Sequence, residues 1–144
     1  MQTYDPTLFT ITVGANTVVG FAAGTFIKAS RNEDAFSLEI GADGKSNTRI
    51  RNANRSGKIE ITLLKSSPSN DLLSAQAILD EATGQGVVPA QVKDGSGTAV
   101  ANAQNVWITK MADLERGKEL GDVTWVLETD QLDIIQGGTV DITF

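Results

Sequence analysis

The sequence predicts a mainly β fold, a sandwich or barrel flanked by one α-helix and carrying a long polar hairpin arm. Three observations predict it. Short runs of alternating apolar and polar residues recur along the chain at roughly even spacing, as in sandwiches and barrels. One segment, DLLSAQAILDEAT (71–83), repeats its apolar residues at helical spacing instead. A third stretch, KSNTRIRNANRSG (45–57), has only Ile50 and Ala53 as apolar residues, too few for a half-buried strand.

Taken in order, TLFTITV (7–13) alternates and is followed by the turn residues Gly14-Ala15-Asn16-Thr17. GTFIKAS (24–30) has Phe26, Lys28 and Ser30 on one face and Thr25, Ile27 and Ala29 on the other. After the charged turn at 31–34, AFSLEIG (35–41) points Phe36, Leu38 and Ile40 inward and Ser37 and Glu39 outward. Gly41-Ala42-Asp43-Gly44 is a turn, because Asp-Gly accepts positive φ at low steric cost. The polar stretch then reads as an extended hairpin arm or a long surface loop. Residues 58–65 form the next strand, with Ile59, Ile61 and Leu63 alternating with Glu60 and Thr62.

The helix is expected over about 70–83. Pro68 blocks its backward extension, Ser69 or Asn70 can cap it, and Asp71 sits in the first turn where the helix dipole favours negative charge. Gly84 or Gly86 ends it. Residues 72, 73, 75, 78 and 79 form one apolar stripe expected to lie on the strands. Further strands are read at 87–94, 98–103, 105–110, 122–129, 132–136 and 139–144, and 111–121 is charged. No linker, repeat or low-complexity tract divides the 144 residues, so a single domain over 1–144 is expected, burying roughly 70% of its unfolded surface.

Composition narrows the function. Forty per cent hydrophobic and 21% charged residues describe a globular chain, and no apolar run approaches the ~18–20 residues of a membrane span. Membrane insertion is therefore not expected. MQTYDPTLF lacks the basic start and apolar core of a secretory signal, so synthesis in a cytoplasm is expected. The chain has neither cysteine nor histidine, which excludes disulfides, thiolate nucleophiles, Cys/His zinc sites and His-centred triads. With 18 acidic against 12 basic residues, the net charge of −6 opposes long-range attraction to nucleic acid.

Candidate chemistry is thin. Gly44-Lys45-Ser46 mimics the tail of a phosphate-binding loop, but Glu39 stands where the motif needs its first glycine and no helix follows. Glu39 and Glu60 on neighbouring strands could act as a glycosidase pair, yet such a site needs an aromatic platform. Trp107 and Trp125 lie in strand-like runs and read as core indoles. Lys45, Arg49, Arg51 and Arg55 form a basic string without interleaved aromatics, which suits an acidic protein neighbour better than nucleic acid. No catalytic, cofactor or metal site is expected, and the chain is not read as an enzyme.

The collinear order of these pieces resembles phage tail tube proteins. GFAAGTFIKASRNEDAFSLEIGADGKSNTR (20–49) and NRSGKIEITLLKSSPSNDLLSA (54–75) carry the resemblance, with VVPAQVKDGSGTAV (87–100) and NVWITKMADLERGKELGDVTWVLETDQLDIIQGG (105–138). The turns at 31–36, 41–44 and 67–71 are its most telling segments. The resemblance implies the tail tube fold, shared with the tube protein of type VI secretion. It implies hexameric rings stacked into a hollow tube, with strands of all subunits closing one barrel around a channel for ejected DNA. The corresponding partners are other copies of the chain, the tape measure, baseplate and tail terminator proteins, and a sheath in contractile tails. The location implied is the virion tail, after synthesis in the cytoplasm of the bacterial host.

On that resemblance, strands 24–31, 34–41 and 58–65 turn one face to the core and one to the channel. The core face carries Phe36, Leu38, Ile40, Ile59, Ile61 and Leu63. The channel face carries Ser37, Glu39, Glu60 and Thr62, with Lys28 and Ser30 on the first strand if its register agrees, and an excess of Glu39 and Glu60 there repels DNA phosphates. The arm at about 41–58, mobile in a monomer, contacts a neighbour through Lys45, Asn47, Arg49, Arg51 and Arg55; residues 111–121 and MQTYDP are secondary contacts. A secretion-system tube protein of the same fold, or a carbohydrate- or host-binding β module, are the alternative functions.

Overall fold

The computed structural model describes residues 3–138, so the strand expected at 139–144 lies outside the described residues. Ten strands and one α-helix follow in chain order: β1 (Phe9–Val13), β2 (Asn16–Val18), β3 (Ile27–Arg31), β4 (Phe36–Ile40), β5 (Asn47–Arg51), β6 (Gly57–Leu64), α1 (Ser69–Thr83), β7 (Val88–Asp94), β8 (Val100–Ile108), β9 (Asp122–Thr129) and β10 (Asp133–Ile135). Eight of these strands make one antiparallel sheet in the order β2-β1-β7-β8-β9-β6-β3, with β10 also paired to β8; β4 and β5 pair only with each other.

β6 anchors the sheet because its alternation is uninterrupted. Ile59, Ile61 and Leu63 are buried, and in register they meet Leu127, Trp125 and Val123 of β9 and, on the other side, Ala29 and Ile27 of β3. Ile11, Val92 and Ala101 form a second buried row across β1, β7 and β8. The sheet curls until its ends meet: the rings of Phe9, in β1, and Phe26, just before β3, pack edge to face at 5.4 Å, and Phe21 stacks on Phe26 at 4.9 Å. Leu132 plugs the junction. It is fully buried, its N–H donates to Arg55 O at 2.9 Å, and its carbonyl accepts from Arg31 Nε at 2.9 Å. Gly57 is required beneath it, since a Cβ there would lie 2.6 Å from Leu132 Cδ2 and 2.7 Å from Ser30 O.

The helix differs from expectation in its cap and its buried face. Pro68 is the cap residue, and Ser69 N donates to Ser67 Oγ at 3.2 Å. Ser69 instead accepts from Val19 N at 2.9 Å, and Asn70 accepts from Trp125 Nε1 at 2.9 Å, so tertiary partners claim both side chains expected to cap. Gly84 ends the helix at φ 70°, donating to Asp80 O at 2.8 Å. Leu73 and Ala77 are buried, whereas Leu72, Ala75, Ile78 and Leu79 are exposed. Of the five expected apolar positions only Leu73 therefore lies on the sheet, joined there by Ala77, and the other four are left exposed.

Two more expectations change. The runs at 98–103 and 105–110 are one strand, β8, in which burial switches phase between Ala103 and Val106 opposite a register irregularity in β7. That bulge turns Trp107 to the outer face, where it is only half-buried, while Trp125 is in the core.

Candidate assembly surface and channel wall

The outer face of β3, β6 and β9 is polar and continuous. Antiparallel register places Lys28 opposite Glu60 and Glu60 opposite Val126; the next row runs Ser30, Lys58, Glu128 and Trp107. Thr62 and Thr124 share a hydroxyl hydrogen bond at 3.3 Å. Four of the expected channel residues, Lys28, Ser30, Glu60 and Thr62, thus share one face. Ser37 and Glu39 do not: they lie on β4, outside this sheet.

The expected excess of acid on this face shrinks to a single charge. Lys28 lies beside Glu60, and Lys58 Nζ is 3.6 Å from Glu60 Oε1. Such an exposed pair contributes ~0–1 kcal/mol to stability, but it changes the field. With Asp122, which pairs with Leu64 on the same face, Lys28, Lys58, Glu60 and Glu128 sum to −1. Lys58 was legible, being two residues before Glu60 on an alternating strand; Glu128 needed the β6–β9 register.

The arm is the hairpin of β4 and β5, spanning Phe36–Arg51 rather than 41–58. Residues 57 and 58 begin β6. The core assignment of Phe36, Leu38 and Ile40 is wrong for this chain: they are 45%, 65% and 59% exposed. Alternation reports that a strand has an apolar face but not what covers it, and here β4 leaves the main sheet after the turn at 32–35. Opposite these residues stand Arg51, Arg49 and Asn47, and the Arg49 guanidinium lies 3.6 Å from the Phe36 ring centroid. Ser37, Glu39, Thr48 and Ile50 take the other face.

Two carboxylates brace this hairpin. At its tip Asp43 accepts from Lys45 N, Ser46 N and Ser46 Oγ at 2.8, 2.9 and 2.9 Å. The backbone donors of Lys45 and Ser46, then the Ser46 hydroxyl, hold its pKa below the ordinary value. At the base Glu33 accepts from the Asn52 and Asn54 amides, both at 2.9 Å, and these bonds lower its pKa in that order. The arm is therefore a hydrogen-bonded β-hairpin. Lys45 is exposed at the tip. Arg55 lies beyond the hairpin, and its acidic partner is in the same chain: Asp133, at 3.2 Å.

Further exposed apolar residues lie on α1 and on 111–121, where Leu114 and Leu120 are 83% and 66% exposed, and others, Tyr4, Leu8 and Ile135 among them, are scattered elsewhere. A groove of about 630 Å³ separates the start of α1 from this segment and is lined by Asn70, Ile78, Met111, Leu114 and Trp125 among others. It holds no convergent set of reactive groups. Among the described residues no cluster of acidic side chains could hold a metal ion, and no helix is long and apolar enough to cross a membrane.

Comparison with known proteins gives this architecture a family. The model of the family described as bacteriophage PhiTE tail tube protein matches residues 6–137. Structural protein ORF10 of Pseudomonas phage KPP10 is 24% identical over 150 residues, covering 99% of this chain and 86% of that relative. The anti-feeding prophage cap, a tube-terminating cap, aligns with a TM-score of 0.59 at 15% identity over 94% of this chain and 92% of its own. The tube-sheath assembly of an extracellular contractile injection system, PVC, aligns with a TM-score of 0.60 at 12% identity over 92% and 91%. At such identities these two structures establish a shared fold alone. The family match extends across every strand from β1 to β10, and the chain therefore belongs to the bacteriophage PhiTE tail tube protein family, structural proteins of the phage tail.

Proposed function

We propose that this chain closes head to tail into hexameric rings, that the rings stack into the hollow tail tube, and that phage DNA leaves through its bore. The outer face of β3, β6 and β9 lines that bore, with Lys28, Ser30, Glu60 and Thr62 toward the lumen. The hairpin Phe36–Arg51 bridges subunits through Asn47, Arg49 and Arg51, with Lys45 at its tip. The chain acts by position, without catalysis. Its partners are copies of itself, the tape measure, baseplate and terminator proteins, and a sheath where the tail contracts. It is made in the cytoplasm of the bacterial host.

The observation that carries this reading is the exposed apolar and arginine face of the hairpin, which one chain leaves uncovered. A second feature agrees with it. Among the described residues β3 ends the sheet with no strand paired on its outer edge, where a strand from another copy could add. Neither need is met by a globular module that binds a ligand alone.

Negative-stain microscopy of the purified protein, concentrated with and without a tail initiator complex, tests the proposal. Hollow rings or filaments of constant bore are expected. A protein that stays monomeric under both conditions overturns it.

A further inference from the structure

We infer that the acceptor for the hairpin is the exposed face of α1 on a second copy of the chain. The inference rests on the head-to-tail assembly proposed above and adds its missing half, the surface that the arm grips.

The two faces match in polarity and in length. On the hairpin, Phe36, Leu38 and Ile40 stand beside Arg49 and Arg51, with no carboxylate on that face. On α1, Leu72, Ile78 and Leu79 are 44%, 58% and 49% exposed, and Asp71 and Glu81 are exposed with them. The helix SNDLLSAQAILDEAT contains no lysine or arginine. Phe36 to Ile40 spans about 13 Å at strand rise, and Leu72 to Leu79 spans about 10 Å at helical rise. A two-stranded ribbon laid on a helix would bury both apolar stripes in one layer.

Charge also decides the symmetry. Two hairpin faces brought together would oppose arginine with arginine, and two helix faces would oppose carboxylate with carboxylate. Each face is repelled by its own copy and attracted by the other kind. Contact is then heterologous, the type that propagates around a ring or along a filament. Asp71 flanks this face toward one end of α1 and Glu81, about 60° round the helix from Ile78, borders it toward the other, so Arg49 and Arg51 meet a carboxylate in either direction of docking.

Cross-linking tests this directly, because the chain has no cysteine of its own. Leu38→Cys in one preparation and Ala75→Cys in another are mixed under conditions where the wild-type protein assembles, then treated with a short bis-maleimide. Both positions are exposed, so neither substitution opens a cavity. A mixed dimer is expected at least tenfold above the yield of Leu38→Cys with Lys93→Cys, an exposed position on β7 outside α1. Arg49→Glu with Arg51→Glu should remove that product, and adding Asp71→Arg with Glu81→Arg on the partner preparation should restore it. Tubes that form while the Leu38–Ala75 product stays at the control level overturn the inference and leave the tube intact. A chain that neither cross-links nor assembles overturns both.

Discussion

Asn70 sits where three elements meet. Its Oδ1 accepts from the buried Trp125 indole, and its amide donates to the carbonyls of Leu64 and Lys65 at 3.0 and 3.4 Å, tying α1 to the end of β6 and to β9. Asn70→Ala leaves the indole N–H unpaired in the core, and a cost of about 1–3 kcal/mol in urea unfolding is expected. Gly20 makes a different demand. Its φ is +77° and a Cβ would lie 2.6 Å from both Cβ and Oγ of Ser67, whose hydroxyl donates to Val19 O. Strain and overpacking act together in Gly20→Ala, which should lose roughly 2 kcal/mol or more by the same measurement. Neither residue announces this in the sequence, because the partners of Asn70 and Gly20 are brought up by the fold. The two tryptophans make the same point. Both lie in strand-like runs, yet the phase change in β8 sends Trp107 outward while Trp125 stays in the core.

At the scale of elements, the hairpin is the part most open to experiment. Glu33 at its base and Asp43 at its tip both have lowered pKa values. A carboxylate depressed in the folded state adds stability above its unfolded pKa and loses it as pH falls through the folded value. The hairpin should therefore loosen below about pH 4, the ordinary carboxylate range, while remaining unaffected between neutrality and pH 5. Amide chemical shifts of Gly44, Ser46 and Asn52 followed from pH 7 to 2 would show it, and Glu33→Gln with Asp43→Asn should flatten the curve. Excision is a second test. Asn52 N donates to Ala35 O at 2.8 Å, so the ends of the hairpin already meet. Replacing 36–51 with two glycines should give a monomer that unfolds cooperatively and forms no tubes. The β6 strand, the helix limits and the turn at 41–44 were legible because short-range chemistry sets them. The exposure of the hairpin's apolar face was not, because Phe36, Leu38 and Ile40 alternate just as Ile59, Ile61 and Leu63 do. One triad is buried within its own chain and the other is not, a difference that periodicity cannot carry.

For the whole molecule the governing quantity is the charge of the face that would line the bore. Lys28 and Lys58 offset two of the three carboxylates Glu60, Asp122 and Glu128 on three adjacent strands, which leaves the face at −1. A wall of that kind neither holds nor strongly repels a polyanion beyond a Debye length of ~8 Å at physiological salt. Individual contacts would be weak, at about 1 kcal/mol for a close pair in water, but a stacked tube multiplies them along the DNA. Glu60→Lys with Glu128→Lys changes the face from −1 to +3 per subunit without touching the hairpin or α1. Tubes of this variant should still form, and they should retain fluorescent duplex DNA at 50 mM salt and release it on the order of 10³-fold more readily at 200 mM. Wild-type tubes should retain almost none at either salt. If the variant binds DNA no better than wild type while its tubes are intact, these residues face away from the bore, and another surface of the sheet lines it.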